Sequence, residues 1–127
     1  MDDRTIINTV AIEHMVWLER LDAFRMELKN LEQRLAGVAS RRHDFEARQG
    51  MEHFQNQFLI QRINMDEVRH RIHQREDSVA WRVVPAPGHE CFRDGQEHDG
   101  IKRELDGLMK VWDDLRSDFN RYLIKWS

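Results

Sequence analysis

Three side chains in this sequence have the types and the spacing of a metal site. Glu67 and His70 are three residues apart, which places them on one face of a helix. His14 is the imidazole that interrupts an apolar pattern earlier in the chain. One carboxylate and two imidazoles can hold iron, zinc or manganese and leave positions open for water or a substrate. Three polar neighbours would orient these ligands: Asn64, Gln57 and His53.

The spacing Glu67-x-x-His70 is also used in di-iron and di-manganese carboxylate bundles. Those bundles use two such motifs and two further carboxylates. This sequence contains one motif, so a homodimer would have to supply the second. The alternative interpretation, which we favour, expects no cofactor. In it, His14 and Glu67, with Gln61 nearby, form a buried polar layer that fixes the register of two helices.

The elements that must position these groups are amphipathic helices. Apolar residues recur at alternating spacings of three and four in three stretches, which is the heptad pattern of coiled coils and packed bundles. The pattern predicts helices over about 5–38, 41–81 and 100–126, joined by a short turn and by a long loop at about 84–99. Pro85 and Pro87 stop the second helix because proline cannot continue one.

These elements predict an all-α fold, an elongated antiparallel three-helix bundle with heptad seams. Residues 1–127 are expected to form one domain. Aromatic residues on the seams, such as Trp17, Phe24 and Trp112, favour a thick core over a two-stranded coil. A larger bundle formed by a dimer is the second arrangement that these seams allow.

The short first turn predicts which residues face each other in the hairpin. If the turn is centred near 38–40, the numbers of facing residues sum to about 78. His14 is then expected to face Asn64, within one turn of Glu67. This register would bring the candidate metal ligands together.

Composition excludes several classes of function. The chain has 20 Lys and Arg against 23 Asp and Glu, a net charge of -3, so we expect no nucleic-acid partner. No apolar run is long enough to span a membrane. The single cysteine excludes an intramolecular disulfide. The charged N-terminal stretch does not look like a signal peptide, and the expected location is the cytoplasm.

Two other segments carry side chains that merit a hypothesis. The long loop contains His89, Cys91, His98 and Asp99, but their spacing fits no structural zinc pattern, and a mobile loop is the favoured interpretation. The basic cluster at 69–75 is flanked by acidic residues and is expected to be a solvated, salt-bridged face. An exposed docking patch is expected at three residues after the second helix: Trp81, Val83 and Val84.

The sequence therefore favours association over catalysis. It contains no phosphate-binding glycine loop, no nucleophile elbow and no His-Glu-x-x-His motif. We predict a small cytoplasmic helical-bundle protein that acts by protein–protein association, as a homodimer or with another helical protein. No small-molecule partner can be identified. The alternative is a metal-binding bundle, with iron, zinc or manganese at His14, Glu67 and His70 and an enzymatic activity there. A weaker idea is a partner binder whose seven histidines make it respond to pH.

Overall fold

Three long helices account for nearly all of the described chain. The computed structural model describes the backbone of residues 3–80 and 89–127, and the side chains of residues 9–76 and 97–127. The described residues form α1 (Asp3–Arg41), α2 (Phe45–Ala80) and α3 (His89–Trp126), without a strand. The predicted all-α three-helix fold is confirmed. Within the described part of the chain, no helix has an apolar stretch that would cross a bilayer.

The apolar seams meet in one continuous core. Phe58, Trp112 and Phe119 lie fully buried at its centre. Phe58 and Phe119 pack edge to face, with ring centroids 5.1 Å apart, an arrangement that aromatic quadrupoles favour. The helices contain 39, 36 and 38 residues, so each is about 55 Å long at 1.5 Å per residue. The predicted elongated shape follows from these lengths.

The turn between α1 and α2 lies later than the sequence predicted. α1 continues to Arg41 instead of ending near residue 38, and only residues 42–44 separate it from α2. In its last turn the Ser40 hydroxyl donates to the Gly37 carbonyl at 2.8 Å. The Arg41 Nε donates to the same carbonyl at 3.2 Å. These bonds satisfy a carbonyl near the helix end and extend the helix past the small residues at 37–40.

This displacement overturns the predicted register. Arg62 pairs with Glu32, Arg69 pairs with Asp22, and His14 lies opposite Glu76. The numbers of facing residues therefore sum to between 90 and 94 instead of about 78. At 1.5 Å per residue, the partner of a given α1 residue lies about 18–24 Å further along α2 than predicted. Much of this change is geometric, because the centre of the turn moves from about position 39 to position 43 and each such step adds two to the sum.

The long loop predicted at 84–99 was also partly wrong. α3 begins at His89, so residues 89–99 are helical. The sequence predicted a loop because glycine and aspartate are poor helix formers. Within this stretch, His98 packs against Trp17 of α1, a contact between helices that the sequence pattern did not show. Trp81, Val83 and Val84 lie outside the described residues.

Candidate functional site

His14 lies in a polar layer at the end of the bundle opposite the 42–44 turn. Its side chain is 1% exposed. The Nδ1 atom lies 3.8 Å from Glu76 Oε1 on α2, and Arg75 on the same helix is buried as well. His98 of α3 completes the layer. We call these four residues the His14 layer.

Three rings organise this layer. The His98 ring lies 4.6 Å from the Trp17 ring and 6.0 Å from the His14 ring, centroid to centroid. The His98 Nε2 atom also hydrogen-bonds the Glu13 carboxylate. The sequence predicted a loop at the position of His98. The signal that identifies it is its position three residues before Ile101, which extends the α3 seam backwards by one step.

The electrostatics of the layer favour a neutral His14. Burial lowers its pKa from the ordinary value of 6.5, and the nearby Arg75 and His98 lower the pKa further. Glu76 and Glu13 oppose this shift. Among the described residues, the His14 Nε2 atom has no hydrogen-bond partner. This imidazole is enclosed by the bundle and not open to solvent.

The predicted metal ligands are not brought together. His14 faces Glu76, which is about 14 Å along α2 from Glu67 at 1.5 Å per residue. Glu67 and His70 are exposed, and Glu67 lines a groove between α2 and α3 together with Asn64. In the part of the chain that the structure describes, no group of three or more His, Cys, Asp or Glu side chains has the arrangement of a metal site.

The remaining predicted site residues are spread along α2. Gln57 is half-buried, while His53 is exposed and its ring packs edge-on against Phe54, with centroids 5.0 Å apart. Gln61 is buried on the seam, and its Oε1 atom lacks a hydrogen-bond partner among the described residues. His14 and Gln61 therefore do not share one polar layer.

The basic cluster at 69–75 is a salt-bridged face. Two of its arginines pair with neighbouring helices, Arg69 with Asp22 and Arg71 with Glu104, whereas Arg75 is buried in the His14 layer. His73 lies 3.4 Å from Glu76 within α2. The pairing is thus mainly between helices, whereas the sequence predicted partners within α2.

The free energy of unfolding should fall on acidification because His14 is buried. When unfolded, this imidazole binds a proton near pH 6.5, while its folded pKa is lower. Below pH 6.5 the unfolded state therefore binds more protons, and the free energy of unfolding falls as the pH falls. We expect a contribution of up to about 1.4 kcal/mol per pH unit between the two pKa values. Urea unfolding at pH 7.5 and 5.5 measures it.

The variant His14→Leu should keep or raise stability at pH 7.5, because it removes a buried nitrogen that has no partner. It should also lose part of the pH dependence. The exposed His53→Gln variant is the matched control and should retain the native pH dependence. Extensive unfolding of His14→Leu at pH 7.5 would contradict this account of the layer.

Hydrophobic side chains on the outside of the bundle form two patches. Ile12, Met15 and Val16 lie on the outer face of α1 and are between 42% and 57% exposed. We call them the α1 patch. The α2 patch consists of neighbouring aliphatic side chains that are between 46% and 52% exposed: Leu59, Ile60 and Ile63. Sequence reasoning missed both patches. The available signal is an apolar residue on the side of the helix opposite its seam.

Comparisons with known proteins give no relative from which to transfer a function. No family model matches the sequence, and no curated protein or solved structure shows a significant match to it.

Proposed function

We propose that this protein acts by protein–protein association, with the α1 patch as the docking face for an amphipathic helix of a partner protein. The observation that carries this proposal is the exposed α1 patch beside a complete core. Neighbouring apolar side chains that are exposed together are typical of interaction surfaces, whereas an isolated exposed apolar side chain is ordinary.

The residues of the α1 patch are not part of the core of the bundle. The seam residues His14, Trp17 and Leu21 already fill the interior side of this part of α1. The patch residues instead face outwards, where their apolar surface gains about 25 cal/mol for each Å² removed from water. Burial against a partner would therefore stabilise a complex without repacking the bundle.

The charge next to the patch indicates the chemistry of the partner. Glu19 is exposed one turn after Met15 and Val16, and Ala23 and Met26 continue the same face. A helix with apolar residues at i, i+3 or i+4 would cover the patch. A lysine or arginine at the centre of that helix would pair with Glu19.

The proposed place of action is the cytoplasm. With one cysteine, the chain has no intramolecular disulfide that would require an oxidising compartment. The charge balance, with a net charge of -3, favours protein partners over nucleic acid.

A paired capture experiment tests the proposed function. Tagged native protein and the variant Met15→Glu are each cross-linked in lysate of the cells that express them, and the recovered proteins are quantified by mass spectrometry. We expect Met15→Glu to reduce recovery of the partner about tenfold or more, because it buries an unpaired carboxylate in the complex.

The control is Gln33→Glu, which adds the same charge at an exposed position of the same helix. It should recover the partner as the native protein does, and circular dichroism should show equal helicity for all three proteins. Equal recovery of the partner by native protein and by Met15→Glu would overturn the proposal. It would also be overturned if none of the recovered helical proteins binds the purified native chain.

A further inference from the structure

The outer face of α2 carries a stripe that is exposed along its whole length. Eight exposed residues follow one another along it at spacings of three or four: Gln49, Glu52, Asn56, Ile60, Ile63, Glu67, His70 and Gln74. We call them the outer stripe. Ile60 and Ile63, of the α2 patch, lie at its centre. Every face of a helix repeats at this spacing, so the residue types on the stripe decide what it can contact.

The other sides of α2 already have neighbours. Arg62 pairs with Glu32 of α1, and Arg71 pairs with Glu104 of α3. The seam residues between these flanks lie in the core. The outer stripe therefore lies on the side of α2 away from the core, with Glu67 at the edge of the groove between α2 and α3.

The outer stripe is complementary to the same stripe of a second copy in antiparallel orientation. In an antiparallel pair with its centre between positions 61 and 62, Ile60 faces Ile63 of the second copy, and the reverse contact forms by symmetry. Asn56 then faces Glu67, so that an amide can donate to a carboxylate. Both contacts recur on the other side of the two-fold axis.

The outer positions of the stripe continue this match. Glu52 faces His70 within one residue of the same centre, which sets a carboxylate opposite an imidazole. Gln49 faces Gln74, and two amides can each donate and accept. No position of the stripe meets a like charge in this register, so charge and hydrogen bonding both fit a second copy.

The α1 patch does not have this property. Glu19 lies at the centre of the apolar face that runs from Ile12 to Met26. A parallel two-fold pairing of this face sets Glu19 against its own copy, and so does an antiparallel pairing centred on the middle of the face. Two facing carboxylates repel, which is why we assign this face to a different partner.

From this self-complementarity we infer that the outer stripe is a homodimer interface, in which two copies pack α2 against α2 in antiparallel orientation. The inference rests on the proposed association function and adds a second surface with a defined occupant. With only two aliphatic residues from each copy at its centre, Ile60 and Ile63, the interface belongs to the small, weak class.

Sedimentation equilibrium over about 1 μM to 1 mM tests the interface. We expect reversible dimers for the native chain. The variant Ile63→Lys should weaken dimerisation about tenfold or more, because each copy buries an unpaired ammonium. The matched control is Ile124→Lys, which makes the same change at an exposed site on α3 and should leave dimerisation unchanged.

A compensating variant tests the register. In Ile60→Glu/Ile63→Lys, each new ammonium faces a new carboxylate of the second copy, and dimerisation should recover. The three positions substituted in these variants, 60, 63 and 124, are all exposed in the single chain, so circular dichroism should report native helicity for every variant. Loss of dimerisation in the double variant as well would contradict the register.

Disulfide trapping tests the orientation. Gln49→Cys and Gln74→Cys are made in the Cys91→Ser background, given tags of different size, mixed and equilibrated in a redox buffer. An antiparallel pair gives the mixed disulfide between positions 49 and 74. A preference for disulfides between like positions would overturn the inference.

The two proposals fail separately. The homodimer is overturned if the native chain stays monomeric over the whole concentration range, or if Ile63→Lys leaves the dimers unaffected. Neither result affects the proposal that a partner binds the α1 patch. Dimers that respond to Ile63→Lys, in a chain whose partner capture ignores Met15→Glu, would support the homodimer and remove the α1 docking face.

Discussion

The substitution Gly50→Ala is expected to destabilise the protein, although alanine is a better helix former than glycine by about 1 kcal/mol. A Cβ atom at position 50 would lie 2.9 Å from Tyr122 Cδ2. The ring cannot simply turn away, because the Tyr122 hydroxyl donates to the Ala47 carbonyl at 2.6 Å. We expect a net loss of about 1–3 kcal/mol in the free energy of unfolding, measured with urea.

Gly107 supplies the matched control for this prediction. It is also a helical glycine, but a Cβ atom there would meet nothing within 4 Å. Gly107→Ala should therefore stabilise the protein by about 0.5–1 kcal/mol. In the double variant Gly50→Ala/Tyr122→Ala, the cost of the Gly50 substitution should largely disappear. A stabilising Gly50→Ala in the native background would contradict the contact between α2 and α3.

The variant Trp112→Ala should have the largest effect on stability, a loss of about 3–5 kcal/mol. The Trp112 ring is fully buried, and its centroid lies 6.3 Å from that of Phe24 and 6.4 Å from that of Phe58. Its Nε1 atom donates to Glu27 Oε2 at 3.2 Å. Truncation leaves a large cavity where all three helices meet. Because typical domains have about 5–15 kcal/mol of stability, thermal unfolding should show a marked fall in the midpoint.

Two further variants separate the sources of this effect. Glu27→Gln keeps the packing and weakens the polar bond, so it should cost far less than Trp112→Ala. Trp126→Ala removes the same side chain from a half-buried position at the end of α3, and a smaller loss is expected. Equal losses for Trp112→Ala and Trp126→Ala would show that the centre of the core is placed incorrectly.

The sequence alone determined the helical class and the identity of the core. The spacing of three and four selects one face of each helix, a local property that a single chain segment carries by itself. Residues chosen on this basis, such as Leu21, Phe58 and Leu105, are buried. Even the polar seam residues His14 and Gln61 are buried, because a helix buries whole faces and does not select single side chains.

Tertiary structure alone decided the neighbours of each buried group. The partner of His14 changed from Glu67 to Glu76 because one further turn of α1 moved the hairpin centre, and periodicity does not record where a helix ends. His98 belongs to α3 and packs against Trp17 of α1, a contact that spacing along the chain does not reveal. Gly50 owes its role to Tyr122, a residue distant in sequence. Each of these outcomes depends on register between helices, which is set by end caps and packing over the whole length of the bundle.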